Sequence, residues 1–85
     1  MILIFGKRFE ADLRKLLRKS PDYEEKVEKC MKLLMRDTKH PSLRWHKLKG
    51  KEVFSVSVDM KMRIILHVDG RQLYLLRLGN HSEVY

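Results

Sequence analysis

The amino-acid sequence predicts an α+β fold of order β-α-α-β-β-β, with a helical hairpin packed on one face of a small, largely antiparallel four-stranded sheet. Three observations carry that prediction. Apolar residues recur at spacings of three and four through two neighbouring stretches of the first half. The second half alternates with period two and is punctuated by turn residues. A short β-branched and aromatic run precedes both. A helical hairpin must bury its apolar stripe, so it covers one sheet face and leaves the other for a ligand.

Ile2-Leu3-Ile4-Phe5, closed by Gly6, reads as the first strand. Phe9, Leu13, Leu16 and Leu17 then form one stripe, with Lys7, Arg8, Asp12, Arg14, Lys15, Arg18 and Lys19 on the other faces. This predicts an amphipathic helix over 7–19. Ser20-Pro21-Asp22 breaks it, and Ser20 suits an N-cap with Pro21 at the first position of a second helix. Asp22, Glu24 and Glu25 complement the positive end of that helix, and Tyr23, Val27, Cys30, Met31 and Leu34 give its apolar face as far as Arg36. Phe54-Ser55-Val56-Ser57-Val58 alternates strictly, as a half-buried strand does. Asp59-Met60-Lys61 turns the chain into 62–68, which is apolar on both faces apart from Arg63 and His67. Asp69-Gly70 signals a tight hairpin, and 72–78 completes a three-stranded meander that Gly79 ends. Residues 80–85 read as a tail.

Eighty-five residues, 44% hydrophobic and 35% charged, allow a single domain spanning 1–85 with one modest core. The single cysteine, Cys30, excludes an intramolecular disulfide and a cysteine-based zinc cluster, which fits a reducing, cytoplasmic setting. Cys30 lies on the apolar stripe and is expected to be a packed thiol rather than a nucleophile. The methionines have no cofactor-like spacing and read as packing residues. No apolar run approaches the roughly 20 residues that a membrane-spanning helix requires.

The net charge of +8 is unevenly spread. Residues 1–38 carry ten Lys/Arg against seven Asp/Glu, and 52–85 carry four against four. Residues 39–51 hold Lys39, Arg44, Lys47, Lys49 and Lys51 with no acid, so this stretch alone contributes +5. It shows neither helical nor strand periodicity and reads as a cationic loop, which points to a phosphate-rich partner. The loop also carries His40, His46 and the only tryptophan, Trp45.

Candidate chemistry is sparse. There is no Gly-rich phosphate loop, no HExxH and no GxSxG. His40 and His46, with cations between them, make a poor dication site. Arg63 sits on an inner meander strand, opposite in face to Met62, Ile64 and Leu66. A half-buried guanidinium needs a partner: either a structural carboxylate (Glu52, Asp59 or Glu83) or a phosphate on the uncovered face. His81 and Tyr85 follow the last strand, where loops commonly carry function.

The element order, the Leu-rich first helix, His40-Pro41-Ser42-Leu43-Arg44, Lys47-Leu48-Lys49-Gly50, Arg63-Ile64-Ile65-Leu66 and Gly79-Asn80-His81-Ser82-Glu83-Val84-Tyr85 together resemble the RelE/ParE toxin superfamily. The resemblance spans essentially the whole chain. It implies a toxin of a type II toxin–antitoxin system whose RelE-type branch cleaves mRNA in the ribosomal A site without metal or other cofactor. His46-Lys47-Leu48-Lys49-Gly50 and the Gly-x-His-x-x-x-Tyr ending are similar to the YafQ-like subgroup. Two features depart from the relatives. Ser55 and Ser57 stand where RelE proper has lysines, and the His and Asp that YafQ-like enzymes carry near the following turn have no match.

The resemblance therefore implies a metal-independent endoribonuclease. His46 and His81 would be the proton carriers, with His81 the acid, and Arg63 would bind the scissile phosphate. Tyr85 would stack on a base or position the 2′-hydroxyl. Arg44, Trp45, Lys47, Lys49 and Lys51 would hold RNA, with Trp45 alternatively anchoring the loop. The implied partners are a cognate antitoxin, mRNA in the ribosomal A site and ribosomal RNA, with no membrane. Two alternatives stand beside it: a ParE-like inhibitor of DNA gyrase, and a non-catalytic module that binds nucleic acid or antitoxin.

Overall fold

The structure is a computed structural model that describes residues 1–48 and 52–85. The chain forms β1 (Ile2–Phe5), α1 (Lys7–Lys19), α2 (Tyr23–Arg36), a 3-10 turn (Pro41–Leu43), β2 (His46–Lys47), β3 (Val53–Ser57), β4 (Met62–Asp69), β5 (Gln72–Asn80) and α3 (His81–Val84). The sheet has five strands in the order β1-β5-β4-β3-β2. β1 runs parallel to β5, and every other neighbouring pair is antiparallel.

The predicted four-stranded sheet is therefore corrected to five. The additional strand, β2, lies inside the stretch that reads as a loop, with His46 paired to Ser55 and Lys47 to Phe54. A two-residue strand carries no alternation of its own, so only its partner strand defines it. The tail reading of residues 80–85 is also corrected, because His81–Val84 is a helical turn. Ser20 ends α1 instead of capping α2: its backbone N–H donates to Leu16 O at 2.8 Å, and α2 begins at Tyr23 after a Pro21-Asp22 turn. The β4–β5 turn consists of Gly70 and Arg71, one residue later than the Asp69-Gly70 reading, because Asp69 still pairs with Gln72. Gly70 has φ +59°, a conformation in which glycine carries no Cβ penalty.

The core lies between the helices and one face of the sheet. Phe9, Val27, Cys30 and Leu34 from the helices meet Val56, Ile64, Leu66, Leu73, Leu75 and Leu78 from the strands, and Leu43 from the 3-10 turn joins them. Burial pushes the Cys30 thiol up to about 12, and its Sγ lies 3.5 Å from Ser57 O, which keeps it a protonated packing group. Met31 packs against this core as expected. Met60 does not: it is 87% exposed at the β3–β4 turn. Beyond the end of β1, α1 takes over as the neighbour of β5. Asp12 Oδ2 accepts from Leu78 N and from Arg77 Nε, each at 2.9 Å.

Cross-strand partners share a face in an antiparallel ladder, so the uncovered face can be read from the register. It carries His46, Ser55, Ser57, Arg63, Ile65, His67 and Arg77. Leu76 is the extra residue of a bulge between the Ile65 and Leu66 pairings. Among the described residues, no helix is long and apolar enough to cross a membrane.

Candidate functional site

At one end of the uncovered face lies an open cleft of about 450 Å³ lined by Arg44, Trp45, His46, Arg63, His81 and Tyr85. The fold thus brings together the four predicted catalytic candidates and two of the predicted RNA-binding residues. Among the described residues the cleft is lined by two arginines, two histidines and no Asp or Glu side chain.

One wall is held by the stretch 40–47. His40 Nδ1 accepts from Ser42 N at 3.2 Å and lies 2.7 Å from Ser42 Oγ, which caps the 3-10 turn. Leu43 is 1% exposed and fixes the turn to the core. Arg44 follows in the left-handed region, φ 48° and ψ 51°, which is uncommon for a residue with a Cβ. That conformation swings the chain outward and into β2. Trp45 packs its ring on Phe54 with centroids 4.7 Å apart, so it anchors the stretch while also lining the cleft. His46, opposite Ser55, lies on the uncovered face and is exposed.

Lys47 does not join this cleft. Strand alternation sends it to the other face, where its Nζ lies 3.5 Å from Glu52 Oε1 and 6.0 Å from the centroid of the Phe54 ring. Its expected RNA contact is therefore not part of the cleft geometry. Lys49 and Lys51, also expected to hold RNA, lie outside the described residues.

The other wall comes from the sheet and α3. Arg63 is on β4 between Ser57 and Gly79. Its alternative reading, a structural ion pair, is corrected: among the described residues Arg63 makes no salt bridge, and each candidate carboxylate bonds elsewhere. Glu52 faces Lys47, Asp59 accepts from Tyr23 and Lys26, and Glu83 accepts from Asn80 N. A charged guanidinium half-buried without a carboxylate is a ready anion site.

His81 and Tyr85 are positioned by a capping box. Asn80 Oδ1 accepts from Glu83 N and Glu83 Oε1 accepts from Asn80 N, both at 2.9 Å, so α3 starts at a fixed point. One turn then brings the rings of His81 and Tyr85 into a tilted contact, with centroids 4.2 Å apart. The Tyr85 hydroxyl donates to Ser55 Oγ, and Ser55 is fully buried. Gly79 makes room for α3: a Cβ there would lie 3.0 Å from both Glu83 Oε1 and Val84 Cγ1.

Ser55 and the Asn80/Glu83 pair are site-building residues that sequence reasoning missed, and Gly79, expected only to end the meander and open the terminal motif, also gives α3 its room. The spacing Asn80-x-x-Glu83 is itself a capping-box signal and could have located α3. Ser55 could not be found locally, because its role depends on a residue thirty positions away. Among the described residues, no group of three or more His, Cys, Asp or Glu side chains could hold a metal ion.

No sequence-family model and no curated protein matches the chain. Solved structures do. A copper-bound mutant toxin from Helicobacter pylori is 28% identical, with 100% of this chain and 99% of that chain covered and a TM-score of 0.85. The solution structure of the H. pylori protein HP0894 is 30% identical, with 100% and 99% covered and a TM-score of 0.69. YafQ in the E. coli DinJ–YafQ complex has a TM-score of 0.85 over 98% of this chain and 96% of that one, at 20% identity, a likeness of fold. With its motifs, its sheet topology and these relatives in agreement, the chain belongs to the RelE/ParE toxin superfamily.

Proposed function

We propose that this protein is the toxin of a type II toxin–antitoxin pair and acts as a ribosome-dependent, metal-independent mRNA endoribonuclease. The observation that carries the reading is a cleft in which, among the described residues, no Asp or Glu takes part and Arg63, in no ion pair, shares walls with His46 and His81. Cleavage by attack of a 2′-hydroxyl on the adjacent phosphorus requires a base, an acid for the departing 5′-oxygen and positive charge on the pentacoordinate phosphorane. Histidine serves either proton role near neutral pH, because free imidazole titrates near ~6.5.

In this scheme His46 accepts the 2′-hydroxyl proton from the β2 side and His81 delivers one to the leaving oxygen from α3. Arg63 neutralises the phosphorane, and Arg44 holds the RNA backbone beside it. Because the Tyr85 hydroxyl donates to Ser55, its ring is the part that meets substrate, as a stacking surface for a base. A cognate antitoxin, by analogy with the DinJ–YafQ complex, would be acidic where it covers the cationic stretch.

The test is purified protein mixed with translating ribosomes and a defined mRNA, with the cut ends mapped. The expected result is discrete cuts ending in 2′,3′-cyclic phosphate, unaffected by chelator and lost in His81→Ala. Growth arrest with intact mRNA would overturn the assignment in favour of a gyrase-directed or purely binding toxin.

A further inference from the structure

The uncovered face has a second hollow at its far end, of about 390 Å³, lined by Val53, His67, Asp69, Tyr74 and Leu76. Its character is opposite to that of the first cleft. Among the described residues no Lys or Arg lines it, and the one charged group lining it is the Asp69 carboxylate. A phosphate would be repelled there. The rings of His67 and Tyr74 pair across β4 and β5 with centroids 6.1 Å apart. Each ring is tied at its polar edge: His67 Nδ1 lies 3.1 Å from Glu52 O, and Tyr74 Oη donates to Gln72 Oε1 at 2.8 Å. Tethering by the edge leaves ring surface for stacking, and Leu76, 37% exposed, extends the apolar floor.

We infer that this hollow is a nucleobase subsite for the same RNA strand whose phosphate occupies the Arg63 cleft, and that Asp69 selects guanine there. The inference rests on the mRNA-cleavage reading and adds a second point of contact to it. Arg63 and His67 lie four residues apart on the same face of one regular strand, a separation of about 13 Å at ~3.3 Å per residue. A single strand rising at about 3.4 Å or more per nucleotide spans that gap with a few nucleotides. Unstacked bases bind aromatic faces and are read along their Watson–Crick edges. A carboxylate accepts hydrogen bonds only, so it favours the edge richest in donors, the N1–H and N2–H₂ of guanine. The two ends of the sheet face thus divide the ligand, phosphate at Arg63 and base at His67 and Tyr74.

Single-turnover cleavage on programmed ribosomes tests this, using mRNAs that carry guanine or an abasic nucleotide at successive positions around the cut. Tyr74→Ala is expected to lower kcat/KM about fivefold or more on intact mRNA. It should cause no further loss on the one mRNA whose abasic position matches the subsite. Asp69→Asn should erase the preference for guanine at that position. The wild-type enzyme scanned over the abasic series supplies the same information without any variant. Equal cleavage by Tyr74→Ala and wild type, or equal losses at every abasic position, overturns the subsite while leaving the ribonuclease reading intact. If the wild-type protein cleaves no mRNA at all, the ribonuclease reading itself falls.

Discussion

The two walls of the cleft are built in different ways. Arg63 stands on an inner strand with a hydrogen-bonded neighbour on each side, and His81 and Tyr85 ride on a helical turn closed by a capping box and tied to a buried serine. Arg44 and His46 stand on a left-handed residue and a two-residue strand at the sheet edge. The sheet-side wall has its geometry over-determined by backbone pairing. The loop-side wall depends on two apolar anchors, Leu43 and Trp45. Edge elements open at lower free energy than inner ones, so the first wall suits phosphorane stabilisation and leaving-group protonation, and the second, apart from the proposed base His46, suits capture of a strand.

Several substitutions can break that contrast. The largest effect is expected at the sheet-side wall, where His81→Ala should slow single-turnover cleavage by about 10²–10⁴-fold without changing thermal stability. Arg63→Lys keeps the charge but removes the planar fork, and should cost about 10²-fold in the same assay. Gly79→Ala touches no substrate; its Cβ would lie 3.0 Å from Glu83 and Val84 side-chain atoms, so α3 must shift. A fall of about tenfold or more in kcat, with little change in melting temperature, is its signature. Arg44→Gly on the loop side should raise stability by about 1 kcal/mol, because glycine accepts the left-handed backbone, while RNA affinity falls only severalfold. If Arg44→Gly proved as damaging as His81→Ala, the division of labour between the walls would be wrong.

A smaller effect, confined to stability, concerns the clasp that holds the β3–β4 turn against α2. Tyr23 Oη donates to Asp59 Oδ2 at 2.6 Å, and Asp59 Oδ1 accepts from the backbone N–H of Lys61 and Met62. Burial works to raise the Asp59 carboxyl, but the bonds from Tyr23, Met62, Lys61 and Lys26 outweigh it and bring it down to about 2. The bond to Asp59, helped by burial, pushes Tyr23 up to about 12. A depressed carboxylate stabilises the fold above its unfolded value of 3.8 and loses that contribution as pH falls toward 2. A raised phenol does the reverse, losing its contribution as pH rises from 10.0 toward 12. Urea midpoints across pH should fall at both extremes, and Asp59→Asn should flatten both limbs.

The helices were legible because spacings of three and four between Phe9, Leu13 and Leu16, and between Val27, Cys30 and Leu34, report a local periodicity. The bounds expected for α1 are those observed. β2 was illegible because its pairing is defined by Phe54 and Ser55 and not by anything in His46–Lys47. The convergence of Arg44, His46, Arg63 and His81 could be expected only through family resemblance, since charge patterning alone marked the cationic stretch. The support beneath them remained hidden. Ser55 looked like the polar half of an alternating strand, yet it is fully buried under Tyr85. Arg63 showed only that it needed a partner, and which carboxylates were already engaged is a tertiary fact.

The parallel pairing of β1 with β5 has a consequence for how the protein is made. Ile2 through Phe5 are matched to Gln72 through Leu75, so β1 must wait for a strand that follows it by seventy residues. Until then Ile2 and Phe5, both still partly exposed in the finished fold, have no sheet to join. Contacts of such sequence separation form late and slowly. His81 and Tyr85 follow β5 in turn. During vectorial synthesis the cleft is therefore completed only once β5 and α3 have emerged, and a nascent chain that stops before them carries no assembled site.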